Sequence, residues 1–135
     1  MHPILILRSF LFFVITTTAS PPATELFSPL IPQKILSTAR GLSPVKYPQY
    51  TDTSSGNWLL FDPDTWTSGF FPGTLYALNT RKQLCGATTT NGLGSADWLG
   101  LGRAWSVALI PLEASNSVGH DVGFLSFPFV EELAM

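Results

Sequence analysis

The amino-acid sequence predicts an all-α fold in which the helices are linked in pairs. Apolar residues recur at helical spacing along much of the chain, and alternation of apolar and polar residues at every second position is nearly absent. Prolines and glycines stand at the ends of the periodic segments, where they start and stop helices. Apolar residues make up 45% of the 135 residues and charged residues only 12%. This composition argues against a disordered chain and predicts a buried core.

Residues 1–20 are predicted to be a secretory signal peptide. The positive charge of Arg8 precedes an apolar run over residues 10–15, and small residues that a signal peptidase accepts follow at 16–20. The apolar stretch falls short of the roughly 18 residues that a membrane-spanning helix needs. We therefore expect residues 21–135 to be secreted to the extracellular space, with no membrane contact after cleavage.

The first helix is predicted over residues 33–41. Ile31, Ile35 and Ala39 share one helical face, Pro32 fits the first turn, and Gly41 is placed as a C-terminal cap. Residues 43–64 are rich in proline, serine, threonine and aspartate, so we expect a long irregular connection there. Connections of that length are uncommon and often functional.

Two further helices follow the connection. The second begins near Pro72, because Phe71, Leu75 and Leu78 recur at helical spacing. The third is predicted to run from a Ser95 cap to about residue 108, with Asp97 near the positive end of the helix dipole. Its apolar face, which we expect in the core, consists of Trp98, Leu101, Trp105 and Leu109.

The net charge and the small number of metal-ligating side chains exclude several classes of function. The net charge is −2, without the excess of lysine and arginine that nucleic-acid binding needs. The single cysteine, Cys85, cannot form a disulfide within the chain and is predicted to be a small buried apolar residue. Besides His120 the chain has only His2, which lies in the predicted signal peptide, so we expect no metal site.

Polar side chains lie beside aromatic residues in residues 57–58, 62–66 and 120–124. An aromatic face against sugar C–H groups, with carboxylates that accept from hydroxyls, is a combination that suits carbohydrate. Asp62 and Asp64 have a simpler interpretation as turn and capping residues, since aspartate bonds readily to its own backbone. The pattern alone therefore favours a sugar site without assigning a catalytic pair.

Two motifs, in this order, resemble those of a known enzyme family. The run Trp-Thr-Ser-Gly-Phe-Phe-Pro-Gly covers residues 66–73, and His-Asp-Val-Gly-Phe covers residues 120–124. With residues 47–52 they resemble the N-terminal part of the unsaturated glucuronyl hydrolases, glycoside hydrolase family 88, over roughly residues 25–135. The resemblance implies the first two to three helical hairpins of an (α/α)6 barrel with the substrate in a central cleft.

The resemblance also implies a reaction and its residues. The family hydrates the C4=C5 bond of the terminal unsaturated uronic acid in oligosaccharides that polysaccharide lyases leave, and the product then opens and releases the sugar. When the motifs are matched residue by residue, the resemblance implies that Asp121 is a catalytic carboxylate that holds the uronate hydroxyls. Trp66 is implied as an aromatic wall of the substrate subsite, and His120 as a substrate-binding residue. No metal or organic cofactor is implied.

The family's second catalytic aspartate lies on a later hairpin, and the chain stops at Met135 without it. We therefore expect a fragment that is inactive alone, either a truncated gene product or one that needs a complementing partner. In such a fragment the apolar residues 124–130 would lack their neighbouring helices. Two alternatives stay open: a secreted sugar-binding module that uses Trp58, Trp66 and Asp121 without turnover, and a small secreted helical protein whose aromatic residues are simply core.

Overall fold

The computed structural model describes residues 23–135, and the predicted signal peptide lies outside these residues. The helices are α1 (Leu30–Gly41), α2 (Phe70–Cys85), α3 (Trp98–Ser106), α4 (Val122–Leu125) and α5 (Phe127–Leu133). The strands are β1 (Tyr47–Thr51) and β2 (Trp58–Phe61), and short 3₁₀ helices span Thr24–Phe27, Val107–Glu113 and Gly119–Asp121. The prediction of a mostly helical chain is confirmed. None of the helices described here is long and apolar enough to cross a lipid bilayer.

Helices α2 and α3 form the central pair. Leu75 and Tyr76 of α2 are buried, as are Trp98 and Trp105 of α3. A Cβ added to Gly102 would lie 3.0 Å from the Tyr76 ring, so the glycine lets α3 approach this ring closely. Helices α2 and α3 therefore pack against each other, and Trp98 and Trp105 are core residues as expected.

Three hydrogen bonds fix the two buried tryptophans. The indole N–H of Trp98 donates to the Leu93 carbonyl at 3.0 Å, and that of Trp105 donates to the Ala39 carbonyl at 3.3 Å. The Tyr47 hydroxyl donates to the Trp105 carbonyl at 2.6 Å, and burial raises the pKa of this phenol. Because buried polar groups are costly without partners, these bonds attach α1 and β1 to α3 in one arrangement.

An antiparallel hairpin of β1 and β2 lies inside the segment predicted to be irregular. The all-α prediction is therefore wrong for residues 47–61. Pro48 has no amide hydrogen, and the register shifts between Pro48 and Tyr50, so β1 is an interrupted strand. Strand β2 is the continuous apolar run Trp-Leu-Leu-Phe, which has no polar residue to produce the alternation typical of a half-buried strand.

The turn between the strands is stabilised by a carboxylate. The Ser54 hydroxyl and the amides of Ser54 and Ser55 donate to Asp52, and these bonds lower the pKa of Asp52 to about 2. The Asp52 amide donates to the Asn57 carbonyl at 2.8 Å, and Gly56 supplies a positive φ of 70°. The serine and glycine content that predicted a loop thus forms the hairpin turn.

Helix α3 is capped by a different residue from the one predicted. The Asp97 Oδ1 accepts from the Gly100 amide at 2.9 Å, so Asp97 rather than Ser95 is the N-cap. The helix ends at Ser106 and continues as the 3₁₀ segment Val107–Glu113. Pro111 lies inside this segment and cannot donate the backbone hydrogen bond that an α-helix needs there.

Cys85 is exposed, so the prediction of a buried apolar cysteine is wrong. It is the last residue of α2, and Gly86 follows with a φ of 69°. The chain therefore leaves the helix axis at this point, beyond the part of α2 that carries its buried residues.

Candidate functional site

The two motif segments pack directly against each other. A Cβ added to Gly69, just before α2, would lie 1.8 Å from the carbonyl oxygen of Phe124 in α4. The φ of Gly69 is −70°, so glycine is required here for space and not for its conformational freedom. Residues 66–73 and 120–124 are thus joined by a close backbone contact, although they lie far apart in the sequence.

Three aromatic rings from these segments form a cluster on the surface. The centroids of Trp66 and Phe70 are 5.9 Å apart, those of Trp66 and Phe124 are 5.8 Å apart, and those of Phe70 and Phe124 are 5.3 Å apart. Each of the three side chains is exposed, at 40–46% of its full surface. Rings at these separations attract one another while leaving area free for a ligand.

A carboxylate links the loops that precede the two segments. Both oxygens of Asp64 accept from the Ser117 amide at 3.0 Å, which connects the 62–66 loop to the loop before His120. Asp62 forms an ion pair with Lys46, and its carbonyl accepts from the Ser68 hydroxyl at 3.1 Å. The prediction of purely local turn and capping roles is therefore wrong for both side chains, because Asp62 pairs with Lys46 and Asp64 with Ser117.

Asp121 and His120 lie together at the start of α4. The His120 Nε2 and Asp121 Oδ1 are 3.4 Å apart, with 94% of the histidine side chain and 33% of the aspartate side chain exposed. Although Asp121 is the N-cap residue of α4, its side chain makes no capping hydrogen bond. Asp121 precedes Phe124, a ring of the cluster, by three residues, which is about one helical turn.

A groove of about 170 Å³ lies beside the cluster, between α1, β1, β2 and α2. Its lining residues are Ile35, Pro48, Gln49, Trp58, Phe70, Phe71 and Thr74. The indole N–H of Trp58 donates to the Thr38 hydroxyl at 3.2 Å, and the ring is exposed. Phe70 belongs to both the groove and the cluster. We call the four rings of Trp58, Trp66, Phe70 and Phe124 the aromatic surface.

Sequence reasoning missed Phe70 as the ring that joins the groove to the cluster. The Phe70–Phe71 pair begins α2, and a helix turns successive side chains by about 100°. Phe71 is accordingly buried against Trp105, with ring centroids 4.6 Å apart, while Phe70 is exposed. The helical period of Phe71, Leu75 and Leu78 could have assigned Phe71 to the core and Phe70 to the surface.

No protein-family model, no curated protein and no solved structure matches the chain. Within residues 23–135, no group of three or more histidine, cysteine, aspartate or glutamate side chains is arranged to hold a metal ion. The functional proposal therefore depends on the geometry of the aromatic surface and of Asp121.

Proposed function

We propose that residues 21–135 form the N-terminal part of a secreted glycoside hydrolase of the unsaturated glucuronyl hydrolase type. The observation that supports this proposal is the contact of Gly69 with Phe124, because it joins the two motifs that carry the resemblance. In the proposal, α1, α2 and α3 belong to the first hairpins of an (α/α)6 barrel, and the aromatic surface faces its cleft. The substrates are oligosaccharides that end in an unsaturated uronic acid.

The proposed roles follow from the chemistry of each side chain. Trp66 offers a ring against which the C–H groups of a sugar can pack. Asp121 accepts hydrogen bonds from the uronate hydroxyls, and the exposed His120 lies within reach of the same ligand. Hydration of the C4=C5 bond needs a proton at C4 and water at C5, and a second carboxylic acid on a later hairpin supplies the proton.

The first test is binding and turnover of an unsaturated uronyl disaccharide by the chain itself. We expect binding that shifts the Trp66 indole resonance in NMR spectra, and no loss of the ultraviolet absorbance of the conjugated double bond. Trp66→Ala should remove the binding, whereas Gln33→Ala on the exposed part of α1 should not. Turnover by the unmodified chain would contradict the proposal that a second acid is needed.

The role of Asp121 is tested in a longer version of the chain that carries the later hairpins. Asp121→Asn is nearly isosteric, and we expect it to lower kcat by about 10²-fold or more while the melting temperature stays the same. An unchanged kcat with a lower melting temperature would show that Asp121 only supports the loop at the start of α4.

A second candidate function is sugar binding without catalysis, and the groove beside Trp58 favours it. The groove places Trp58 and Phe70 next to the amide of Gln49 and the hydroxyl of Thr74, which is a mixed aromatic and polar lining suited to a sugar ring. In that case Trp58→Ala should abolish binding and Asp121→Asn should leave it unchanged. The opposite result favours the hydrolase proposal.

A further inference from the structure

A second cavity lies at the other end of the central helix pair. It has a volume of about 450 Å³ and is lined by Asn79, Lys82, Gln83, Ser95, Asp97 and Trp98. Asn79, Lys82 and Gln83 are spaced i, i+3, i+4 on α2, so they share one helical face. The volume falls within the roughly 300–1,000 Å³ that is typical of small-molecule sites.

This cavity is separate from the aromatic surface. Asn79 follows Phe70 by nine positions in the same helix, which corresponds to about 14 Å along the axis. The cavity lining and the groove lining share no residue. A ligand bound in the cavity therefore leaves Trp58, Trp66 and Asp121 free.

The Asn79 amide has hydrogen-bonding capacity that the described chain does not use. The side chain is buried, with 9% of its surface exposed, yet its one hydrogen bond is from Nδ2 to the Met135 sulfur at 3.5 Å. A thioether is a weak acceptor. In residues 23–135 no fully buried side-chain nitrogen or oxygen lacks a partner, so the Asn79 Oδ1, which has no partner there, is not fully buried. Asn79 is one of the residues that line the cavity.

Two charged side chains of opposite sign line the same cavity. Lys82 donates one hydrogen bond from Nζ to the Ala96 carbonyl at 2.9 Å, which leaves two of its three donors free. Asp97 accepts from the Gly100 amide through Oδ1, and a carboxylate has further acceptor sites. The two formal charges cancel, so the cavity has no net charge that would select an ion.

We propose that this cavity binds a neutral, hydroxyl-rich molecule of monosaccharide size. Hydroxyl groups both donate and accept, and they match the mixture of amide, ammonium, hydroxyl and carboxylate groups in the lining. The buried Asn79 amide, which lines the cavity, gains a strong partner. The site does not depend on the hydrolase proposal, because it uses none of the same residues.

The test is a titration of the full chain with D-glucose, D-galactose and D-mannose, followed by saturation-transfer NMR. This method observes the ligand, so self-association of the protein does not prevent the measurement. We expect at least one of the sugars to bind, and we expect Gln83→Ala and Lys82→Met each to raise its Kd by about fivefold, the loss of one hydrogen bond. Both side chains are at least partly exposed, so the variants should fold.

Matched controls locate the site. Gln33→Ala removes the same side chain from α1, and Trp58→Ala changes the groove, so both should leave the Kd of the monosaccharide unchanged. Binding that Trp58→Ala removes and Gln83→Ala does not would overturn the proposal. Tighter binding of D-glucuronate or glycine than of each neutral sugar would also overturn it. The absence of saturation transfer to all three sugars would do the same.

Discussion

Gly69 is the residue on which the geometry of the candidate site depends most. The backbone of Phe124 lies where a Cβ would have to be, and the nearby Gly73 has the Phe127 ring 2.8 Å from its Cβ position. The Phe127 ring belongs to a side chain that can rotate, whereas the Phe124 carbonyl is part of the backbone. A side chain at position 69 can therefore be accommodated only if α4 moves away from α2.

We expect Gly69→Ala to destabilise the fold by at least the roughly 1–3 kcal/mol typical of overpacked sites. Thermal unfolding followed by circular dichroism measures this loss. Gly123→Ala is the matched control, because a Cβ at Gly123 meets nothing within 4 Å and the residue has no positive φ. If both variants melt at the same temperature, the contact between Gly69 and Phe124 is not part of the folded chain.

At the scale of the elements, one carboxylate contributes to the attachment of α5 to both α2 and α3. The Arg103 Nε lies 3.0 and 3.1 Å from the two oxygens of Glu132, and its Nη2 also donates to Glu132. The Tyr76 hydroxyl donates to the same carboxylate at 2.8 Å. Burial, aided by the neighbouring Glu132, raises the pKa of Tyr76 to about 12, so the phenol keeps its proton at neutral pH.

This attachment should weaken in acid. The hydrogen bonds from Arg103 and then Tyr76 lower the pKa of Glu132 below its ordinary value. The stabilisation that Glu132 contributes to the fold is therefore fully present above its pKa in the unfolded chain, about 4.3. It is lost as the pH falls through the lower pKa that Glu132 has in the folded chain. The protection factors of the α5 amides in hydrogen exchange, which are corrected for the intrinsic exchange rate at each pH, should fall over that range. Glu132→Gln should remove the pH dependence, and Glu131→Gln, the matched control, should keep it.

Helix positions were predictable from the sequence because buried residues recur with the helical period in α1, α2 and α3. The hairpin was not, since Pro48 interrupts β1 and the four residues of β2 are all apolar. The motif order pointed to residues 66–73 and 120–124, but the packing of these two segments depends on a contact between Gly69 and a backbone carbonyl. The sequence does not show which glycines pack closely against a neighbouring backbone and which lie in open loops, so it does not predict a contact of this kind.

At the scale of the whole molecule, one row of exposed apolar side chains lies on α5, near the C-terminus. Phe127, Val130 and Leu133 of α5 are exposed, the last two at 62% and 88%, and they are spaced i, i+3, i+6 on one side of the helix. The expected exposed patch over residues 124–130 is correct for Phe124, Phe127 and Val130, whereas Phe129 is half-buried and Leu125 is fully buried. The expectation that this segment lacks a neighbouring helix is wrong, because α5 packs against α2. Contiguous apolar area of this kind favours association.

We expect the purified chain to bind hydrophobic dyes and to associate as its concentration rises. The double variant Val130→Gln/Leu133→Gln should reduce both effects without lowering the melting temperature, because these side chains are exposed. Leu84→Gln, which changes an equally exposed leucine at the end of α2, is the control and should have a smaller effect. Sedimentation velocity provides the measurement. A monomer without dye binding at all concentrations would contradict this prediction.

The hydrogen bonds around Trp105 also set the order in which the chain can fold. Its partners Tyr47 and Ala39 precede it by 58 and 66 residues, so each bond requires its own long loop to close. Closure costs entropy that grows with loop length. Helices such as α2 form within about a microsecond, whereas these distant pairings are slow. During synthesis, α1 and the hairpin leave the ribosome before α3. They can form these hydrogen bonds to Trp105 only after α3 has been made.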